Sequence, residues 1–219
     1  MFTYSLQGLE LTAEPTGVLE VEENETTARS AVYQLLGAFF ASGGTTSFEK
    51  ARDGLWAKEL FEAATLLPFA LHVGDVALPA GMDEAAFAAE FGRLFGSTEL
   101  LGGARTDRAA EIATVHREYE YFGLAAGGSA PRPPDHLATE LDFLQYLCFK
   151  EAASPSPRLA GSFRRAQRDF LAGHVLCWVP GMVAAAQAAG AAEPFAAMLD
   201  LVGVFVADDH GYVAALIGG

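Results

Sequence analysis

Apolar side chains recur at helical spacing through most of this chain, and they nowhere alternate over the length of a strand. One such stripe contains Tyr33, Leu36, Phe39 and Phe40. Glycines and prolines interrupt the pattern, and because both residue types end helices, each interruption marks a boundary. The chain has 219 residues, 51% of them hydrophobic, which is enough for a sizeable single core. The sequence therefore predicts an all-α fold, a single-domain helical bundle without a sheet.

The interruptions also predict where the helices lie. The first helix is expected to begin at Thr26 or Thr27 and to end at glycines 43 and 44. The following helices are expected over residues 47–67, 83 to beyond 95, about 106–122, 135 to about 153, 158–179 and 194–207. Pro180 is expected to break or kink the helix before it. Residues 1–25 contain six glutamates and no lysine or arginine. They predict a flexible acidic arm ahead of an all-helical domain over 26–219.

Residues 133–144 are the most informative segment for function. Two prolines end a loop, and Asp135 follows them in a position to cap the next helix. His136 and Glu140 are four residues apart, a spacing that puts both on one helix face. The pattern predicts three ionisable side chains at the start of a helix, between a packed face and open space. Such an arrangement indicates a recognition or catalytic site; it also fits a plain helix cap with two solvated neighbours.

The same segment resembles a known signature. Its pattern, Pro-x-Asp-His-x-x-x-Glu-Leu-x-Phe-Leu, is similar to that of the TorD/DmsD/NarJ family of chaperones. Other segments agree in order: Arg29-x-x-x-Tyr33-x-x-Leu36, Glu90-Phe91-x-x-Leu94-Phe95-Gly96, Tyr119-x-x-Phe122-Gly123-Leu124 and Gln167-x-x-Phe170-Leu171-x-x-His174-x-x-x-Trp178. The resemblance thus runs from about residue 29 to 205. It departs after Gly96, where the chain lacks the Pro/Tyr/Glu cluster often found in the family.

The resemblance implies a function. Members of this family are cytoplasmic chaperones that bind the leader peptides of molybdenum enzymes and hold the enzymes until the cofactor is loaded. The implied partner is the catalytic subunit of a molybdopterin oxidoreductase of the dimethyl-sulfoxide-reductase superfamily, bound through a twin-arginine leader. The implied peptide-binding residues are Asp135, His136, Glu140, Leu94, Phe95, Tyr119 and Phe143. A monomer and a domain-swapped dimer both remain open.

Charge and composition narrow the choice of partner. The net charge of −14 argues against nucleic acid and favours a cationic partner. Residues 170–192 contain no Asp, Glu, Lys or Arg, but their His, Trp, Pro, Gly and Gln favour a buried helix over a membrane span. The N-terminal residues have no basic stretch before an apolar run, unlike a secretory or transit signal. A cytoplasmic protein without stable membrane insertion is expected.

Motifs for catalysis are missing from the sequence. It has neither a Gly-x-x-x-x-Gly-Lys-Ser/Thr phosphate loop nor a Gly-x-Ser-x-Gly elbow. Cys148 and Cys177 are too few and too far apart for a zinc site and are expected to be buried thiols. No enzyme, metal or cofactor is therefore predicted. The alternatives are a general helical peptide-binding adaptor and, less favoured, a metal-dependent hydrolase. Guanine-nucleotide binding and the role of the basic cluster Arg158, Arg164, Arg165 and Arg168 stay open.

Overall fold

The computed structural model describes residues 7–12, 24–74, 76–96, 108–127 and 132–218, which form an all-α domain with one small sheet. Before residue 100 the elements are strand β1 (Leu9–Leu11) and helices α1 (Glu25–Ala41), α2 (Thr45–Arg52), α3 (Leu55–Ala64) and α4 (Glu84–Phe95). After it they are α5 (Arg108–Tyr121), strand β2 (Leu124–Ala126), α6 (Leu137–Ala152), α7 (Pro157–Phe170), α8 (Leu176–Ala188) and α9 (Phe195–Gly218). The predicted helical, single-domain fold is confirmed.

Helix α6 lies at the centre of the domain. Helix α1 packs along it, α7 also packs against it, and fourteen of its sixteen residues are buried. Four of these buried residues have carboxylate or amide side chains: Glu140, Asp142, Gln145 and Glu151. Because α6 has almost no solvated side, these groups must find hydrogen-bond partners inside the protein. Their partners define the polar sites described below.

The first helix is capped by a residue that the sequence reading passed over. The Asn24 Oδ1 atom accepts hydrogen bonds from the backbone N–H groups of Thr26 (2.9 Å) and Thr27 (3.1 Å). The Thr27 hydroxyl in turn accepts from the Asn24 N–H at 2.8 Å, which completes a capping box. The predicted cap at Thr26 or Thr27 is wrong, because asparagine is the stronger cap and places both threonines in the first turn. The predicted start at Asp83 is confirmed.

The predicted helix over 47–67 is two helices, α2 and α3. Gly54 separates them with a φ of 68°, a left-handed conformation that side chains other than glycine rarely adopt. The short turn redirects the chain so that Trp56 and Leu60 are buried against the core. The sequence reading missed this break because a single glycine inside a helical pattern is often tolerated.

The two C-terminal helices extend further than predicted. A π-helical turn, Leu171–Val175, follows α7, and α8 then continues through Pro180 to Ala188. The proline lies inside α8, so the predicted end of the helix near residue 179 is wrong, whereas a kink at Pro180 stays a prediction. Helix α9 continues to Gly218, beyond the predicted end at residue 207. Asp209 in this extension looks like a solvent-facing residue in the sequence, but it is fully buried and accepts hydrogen bonds from Arg29 and Tyr33 of α1.

The prediction that the domain has no sheet is wrong, because two short strands form a small antiparallel sheet. Strand β1 pairs with β2 in the register Leu9 to Ala126 and Leu11 to Leu124. Each strand has three residues, which is too short for an alternating pattern to be visible in the sequence. Part of the expected flexible arm, residues 7–12, is thus packed on the helical domain. Residues 1–6 and 13–23 lie outside the described residues, so the mobility of the remaining arm stays a prediction.

Candidate peptide-binding site

The start of helix α6 is capped by His136. Its backbone is extended, with φ −78° and ψ 138°, and its Nδ1 atom accepts a hydrogen bond from the Ala138 N–H at 3.1 Å. The prediction that Asp135 caps this helix is therefore wrong. Because His136 lies outside the helix, the four-residue spacing does not put it on a common helix face with Glu140. The accepting Nδ1 also requires that this nitrogen carries no proton.

The environment of His136 keeps the imidazole neutral. Burial is the main cause that lowers its pKa to about 4; the positive charge of Arg132 lowers it further, and Asp135 opposes the shift. A neutral ring is the form that can accept the Ala138 hydrogen bond. The electrostatics and the cap geometry therefore favour the same protonation state.

Asp135 is bound by an arginine from helix α5. Its Oδ2 atom accepts from Arg108 Nε at 2.6 Å, and its Oδ1 atom accepts from Arg108 Nη2 at 3.3 Å. The Asp135 side chain is only 3% exposed, whereas that of Arg108 is 41% exposed. The hydrogen bond to this carboxylate raises the pKa of the guanidinium. A planar cation thus reaches a buried carboxylate from the solvent side, with the paired geometry typical of guanidinium–carboxylate contacts.

Glu140 is fully buried, which contradicts the prediction that it faces open space. Its Oε2 atom accepts a hydrogen bond from the indole N–H of Trp178 at 3.0 Å. That bond joins the start of α6 to α8, and the two bonded residues are 38 positions apart in the sequence. Glu140 therefore stabilises the packing beneath the site, since a buried carboxylate without partners would be strongly unfavourable.

Asp142 is a functional candidate that the sequence reading did not single out. Its Oδ2 atom accepts from the backbone N–H groups of Gln7 (3.1 Å) and Gly8 (2.8 Å) and from Arg132 Nη2 (3.2 Å). Burial raises the pKa of the Asp142 carboxyl, and these three donors act against the rise. Asp142 stands inside the signature pattern, but its backbone partners Gln7 and Gly8, just before β1, are more than 130 residues away. Nothing in the sequence indicated that contact.

The aromatic residues proposed to receive the leader fall into two groups. Tyr119 and Phe143 lie together, with ring centroids 4.9 Å apart, and the Tyr119 hydroxyl donates to the Pro134 carbonyl at 2.8 Å. Phe95 packs instead with Phe40, at 5.5 Å between centroids, and with other rings of α4 and α9. Leu94, Tyr119 and Phe143 are fully buried, whereas Phe95 and His136 are partly exposed. The structure thus places Tyr119 and Phe143 beside the start of α6, and Phe95 in a different aromatic cluster.

A buried polar network lies at the other end of α6. Arg29 donates from Nε and Nη2 to Asp209 and from Nη2 to Gln167 Oε1 at 2.5 Å, while its Nη1 lies 3.5 Å from Glu151 Oε2. The Tyr33 hydroxyl also donates to Asp209, at 2.6 Å. Arg29 and Tyr33 belong to one of the motifs on which the family resemblance rests. Nothing in the sequence pointed to Asp209 or Glu151 as their partners. The network joins α1, α6, α7 and α9.

The basic cluster on α7 is largely paired within the chain. Arg164 donates to Glu151 Oε1 at 2.6 and 2.8 Å, Arg165 to Ser162, and Arg168 to Asp169. These contacts agree with a solvated helix face. They leave little basis for an anion site there.

No cluster of three or more His, Cys, Asp or Glu side chains suited to a metal occurs among the described residues. Cys148 is buried, and burial raises the pKa of its thiol, so it stays protonated. Cys177 is exposed, contrary to the prediction of a buried thiol. A cavity of about 630 Å³ is lined by Ser42, Lys50, Trp56 and, just before β1, Gln7; another of about 400 Å³ is lined by His72 and Val204. None of the predicted site residues is among the lining residues of either cavity.

Two helical stretches, Pro157–Ala188 and Phe195–Gly218, have the length and hydropathy of membrane spans. Length and composition alone are weak evidence, because core helices of soluble proteins also meet these criteria. Within the domain, 39% of the first apolar window and 33% of the second are buried.

Comparisons with known proteins define the family of this helical domain. The family model described as nitrate reductase delta subunit matches residues 61–184, which is more than half of the chain. The chain therefore belongs to this family, the TorD/NarJ group that the signature segment resembles.

Several curated proteins are similar to parts of the chain. A selenate reductase assembly chaperone protein of Thauera selenatis is 48% identical over 65 residues, 29% of this chain and 34% of that protein. A chlorate reductase assembly chaperone protein of Ideonella dechloratans is 45% identical over 82 residues, 36% of this chain and 42% of that protein. A chaperone protein TorD of Aeromonas salmonicida is 29% identical over 132 residues, 59% and 61% of the two chains. The matches thus span from about a third to three fifths of these relatives. Their names agree with the expectation of a binding protein and not an enzyme.

Proposed function

We propose that this chain is a cytoplasmic chaperone for a molybdopterin oxidoreductase of the dimethyl-sulfoxide-reductase superfamily. It binds the leader peptide, the apo-form of the catalytic subunit, or both, and assists cofactor insertion before export. Membership of the family and the names of the similar proteins, which are assembly chaperones of reductases, support the proposal.

The ion pair between Asp135 and Arg108 is the main structural support for this proposal. A carboxylate that is almost fully buried already binds a guanidinium whose own side chain is 41% exposed. The site therefore has the chemistry that a leader arginine needs, namely a charge-assisted, two-point contact. The net charge of −14 adds a long-range attraction for a peptide with adjacent arginines.

Neighbouring residues hold this carboxylate in place. His136 fixes the start of α6 through its cap, and the Tyr119 hydroxyl holds the Pro134 carbonyl just before Asp135. Glu140 anchors the helix to Trp178 from below. In this proposal Asp135 contacts the leader, while His136, Glu140 and Tyr119 hold the Asp135 carboxylate in position. Leu94, Phe95 and Phe143 remain predicted contacts for the apolar part of the leader.

Calorimetry with synthetic leaders tests the proposal. We expect micromolar or tighter binding, about −8 kcal/mol or better, for a peptide with two adjacent arginines and an apolar stretch. Asp135→Asn should weaken it by about ten- to a hundredfold, the loss of one charge-assisted hydrogen bond of roughly 1.5–3 kcal/mol. Asp208→Asn, an exposed position on α9, is the matched control. Equal binding of leader and scrambled peptide would instead support a general peptide adaptor.

A further inference from the structure

Strand β1 occupies a groove between β2 and the first turns of α6. Its backbone pairs with β2, and flanking bonds run from the Gly127 N–H to the Gly8 carbonyl (3.1 Å) and from the Thr12 N–H to the Gly123 carbonyl (2.9 Å). Leu9 is 1% exposed and belongs to the hydrophobic core. The groove thus binds an extended segment through its backbone and one apolar side chain, as grooves that bind peptides by strand addition do.

The floor of the groove recognises backbone groups without regard to sequence. Asp142 accepts the N–H groups of both Gln7 and Gly8 through one carboxylate oxygen. Any extended segment with two consecutive N–H groups at this place offers the same donors. Recognition of main-chain atoms therefore does not restrict the groove to the sequence of β1.

Strand β1 leaves part of the groove unsatisfied. The Arg132 side chain is 9% exposed, and its Nε and Nη1 atoms are buried without a hydrogen-bond partner. The Thr139 hydroxyl, from the first turn of α6, is also buried without one. Buried donors of this kind are unfavourable, so a segment that brings a carbonyl or hydroxyl oxygen to them would fit the groove better than β1 does.

We propose that this groove binds an extended, apolar segment of the leader, which displaces β1. The inference rests on the proposed function and names where the apolar part of the leader lies. Arg132 in the groove and Asp135 at the guanidinium site are three residues apart on one loop, so a single peptide can contact both. Strand β1 then acts as the resident occupant that the leader replaces, and its short ladder makes the replacement feasible.

Hydrogen exchange on the full chain tests the displacement. The probe is a synthetic peptide with two adjacent arginines followed by an apolar stretch, added to saturation. The amides of residues 8–12 should exchange faster when the peptide is bound, because β1 has left the groove. The amides of residues 124–127 should stay protected, because the peptide takes over the pairing with β2.

Two variants loosen β1 without altering the groove. A Cβ atom on Gly8 would lie 2.9 Å from Arg132 Nη2 and from Thr139 Oγ1, so Gly8→Ala disfavours docking. Leu9→Ala removes the apolar anchor. Both should raise peptide affinity, by up to about tenfold if the free groove is populated about a tenth of the time in the unmodified chain. Gly211→Ala, where a Cβ atom would meet nothing within 4 Å, is the control.

The outcomes separate the inference from the proposed function. Faster exchange of residues 8–12 together with tighter binding by the two variants would support the inference. If the peptide binds but changes neither the exchange of residues 8–12 nor, in the two variants, the affinity, then β1 is a structural strand and the leader lies elsewhere. The proposed function still stands in that case. If the peptide binds neither the unmodified chain nor the variants, the proposed function fails as well. Dimers in native mass spectrometry that form by exchange of residues 7–12 would assign the groove to a second copy and overturn the inference.

Discussion

Arg108 is the residue whose removal most directly probes the guanidinium site. In Arg108→Gln the buried Asp135 loses its resident cation, so the variant should be less stable, by about 1–3 kcal/mol. The same variant should bind the leader more tightly, because the peptide no longer competes with Arg108. Melting temperature and calorimetry measure the two effects.

Removing any arginine also makes the chain more acidic and more attractive to a cationic peptide. Arg117→Gln controls for this, because Arg117 lies on the same helix, is exposed and donates a hydrogen bond to the Thr114 hydroxyl, not to Asp135. Equal gains in affinity for both variants would mean that Arg108 does not occupy the leader's site.

The pKa of His136 makes a prediction about acid stability. Its pKa falls from an ordinary value near 6.5 to about 4 in the folded protein. Because folding disfavours the protonated ring, His136 contributes fully to the free energy of unfolding above about pH 6.5, where it is neutral in both states. This contribution is lost as the pH falls towards 4, because the ring is then protonated in the unfolded chain. At most about 3 kcal/mol is involved. In His136→Asn, which keeps a capping oxygen but cannot titrate, this part of the pH dependence should disappear.

Urea unfolding between pH 4 and 7 measures this effect. His116→Asn, at a more accessible position on α5, provides the comparison for the loss of a histidine. An unchanged pH profile in His136→Asn would show that other groups cause the acid instability.

At the scale of the elements, the polar network around Arg29 holds four helices together. Asp209→Ala leaves the Arg29 guanidinium buried with fewer partners and should destabilise the domain by about 3–5 kcal/mol. The double variant Arg29→Met with Asp209→Leu should lose less than Asp209→Ala alone, because it leaves no unpaired charge. Asp208→Ala, the exposed neighbour on α9, is the control. Chemical denaturation measures all of them, and a double variant that is less stable than Asp209→Ala would contradict the argument.

The elements also show which features the sequence could and could not predict. Helical periodicity predicted the helices, because each apolar stripe is a local pattern. The partners of Asp142 and Asp209 could not be predicted, because the contacts join residues 134 and 180 positions apart. The cap of α6 was assigned to Asp135 because aspartate is the commoner cap; a nearby Arg108, invisible in the pattern, binds that carboxylate and leaves the cap to His136. Strands of three residues were too short to detect.

At the scale of the whole molecule, the charge of −14 predicts how the leader is captured. Association should be fast at low salt, because a strongly acidic chain attracts a peptide with adjacent arginines over long distances. Raising the ionic strength from about 0.1 M to about 1 M shortens the Debye length from about 10 Å to about 3 Å. The attraction that guides the encounter is then screened, whereas the buried contact with Asp135 is screened much less.

The association rate should therefore fall by about tenfold or more over this salt range, while the dissociation rate changes by less than about threefold. Stopped-flow fluorescence with a labelled leader measures both rates. A leader in which glutamine replaces both arginines should associate slowly at every salt concentration. If salt acts mainly on dissociation, the cationic part of the leader is held by exposed ion pairs at the surface and not by the buried carboxylate of Asp135.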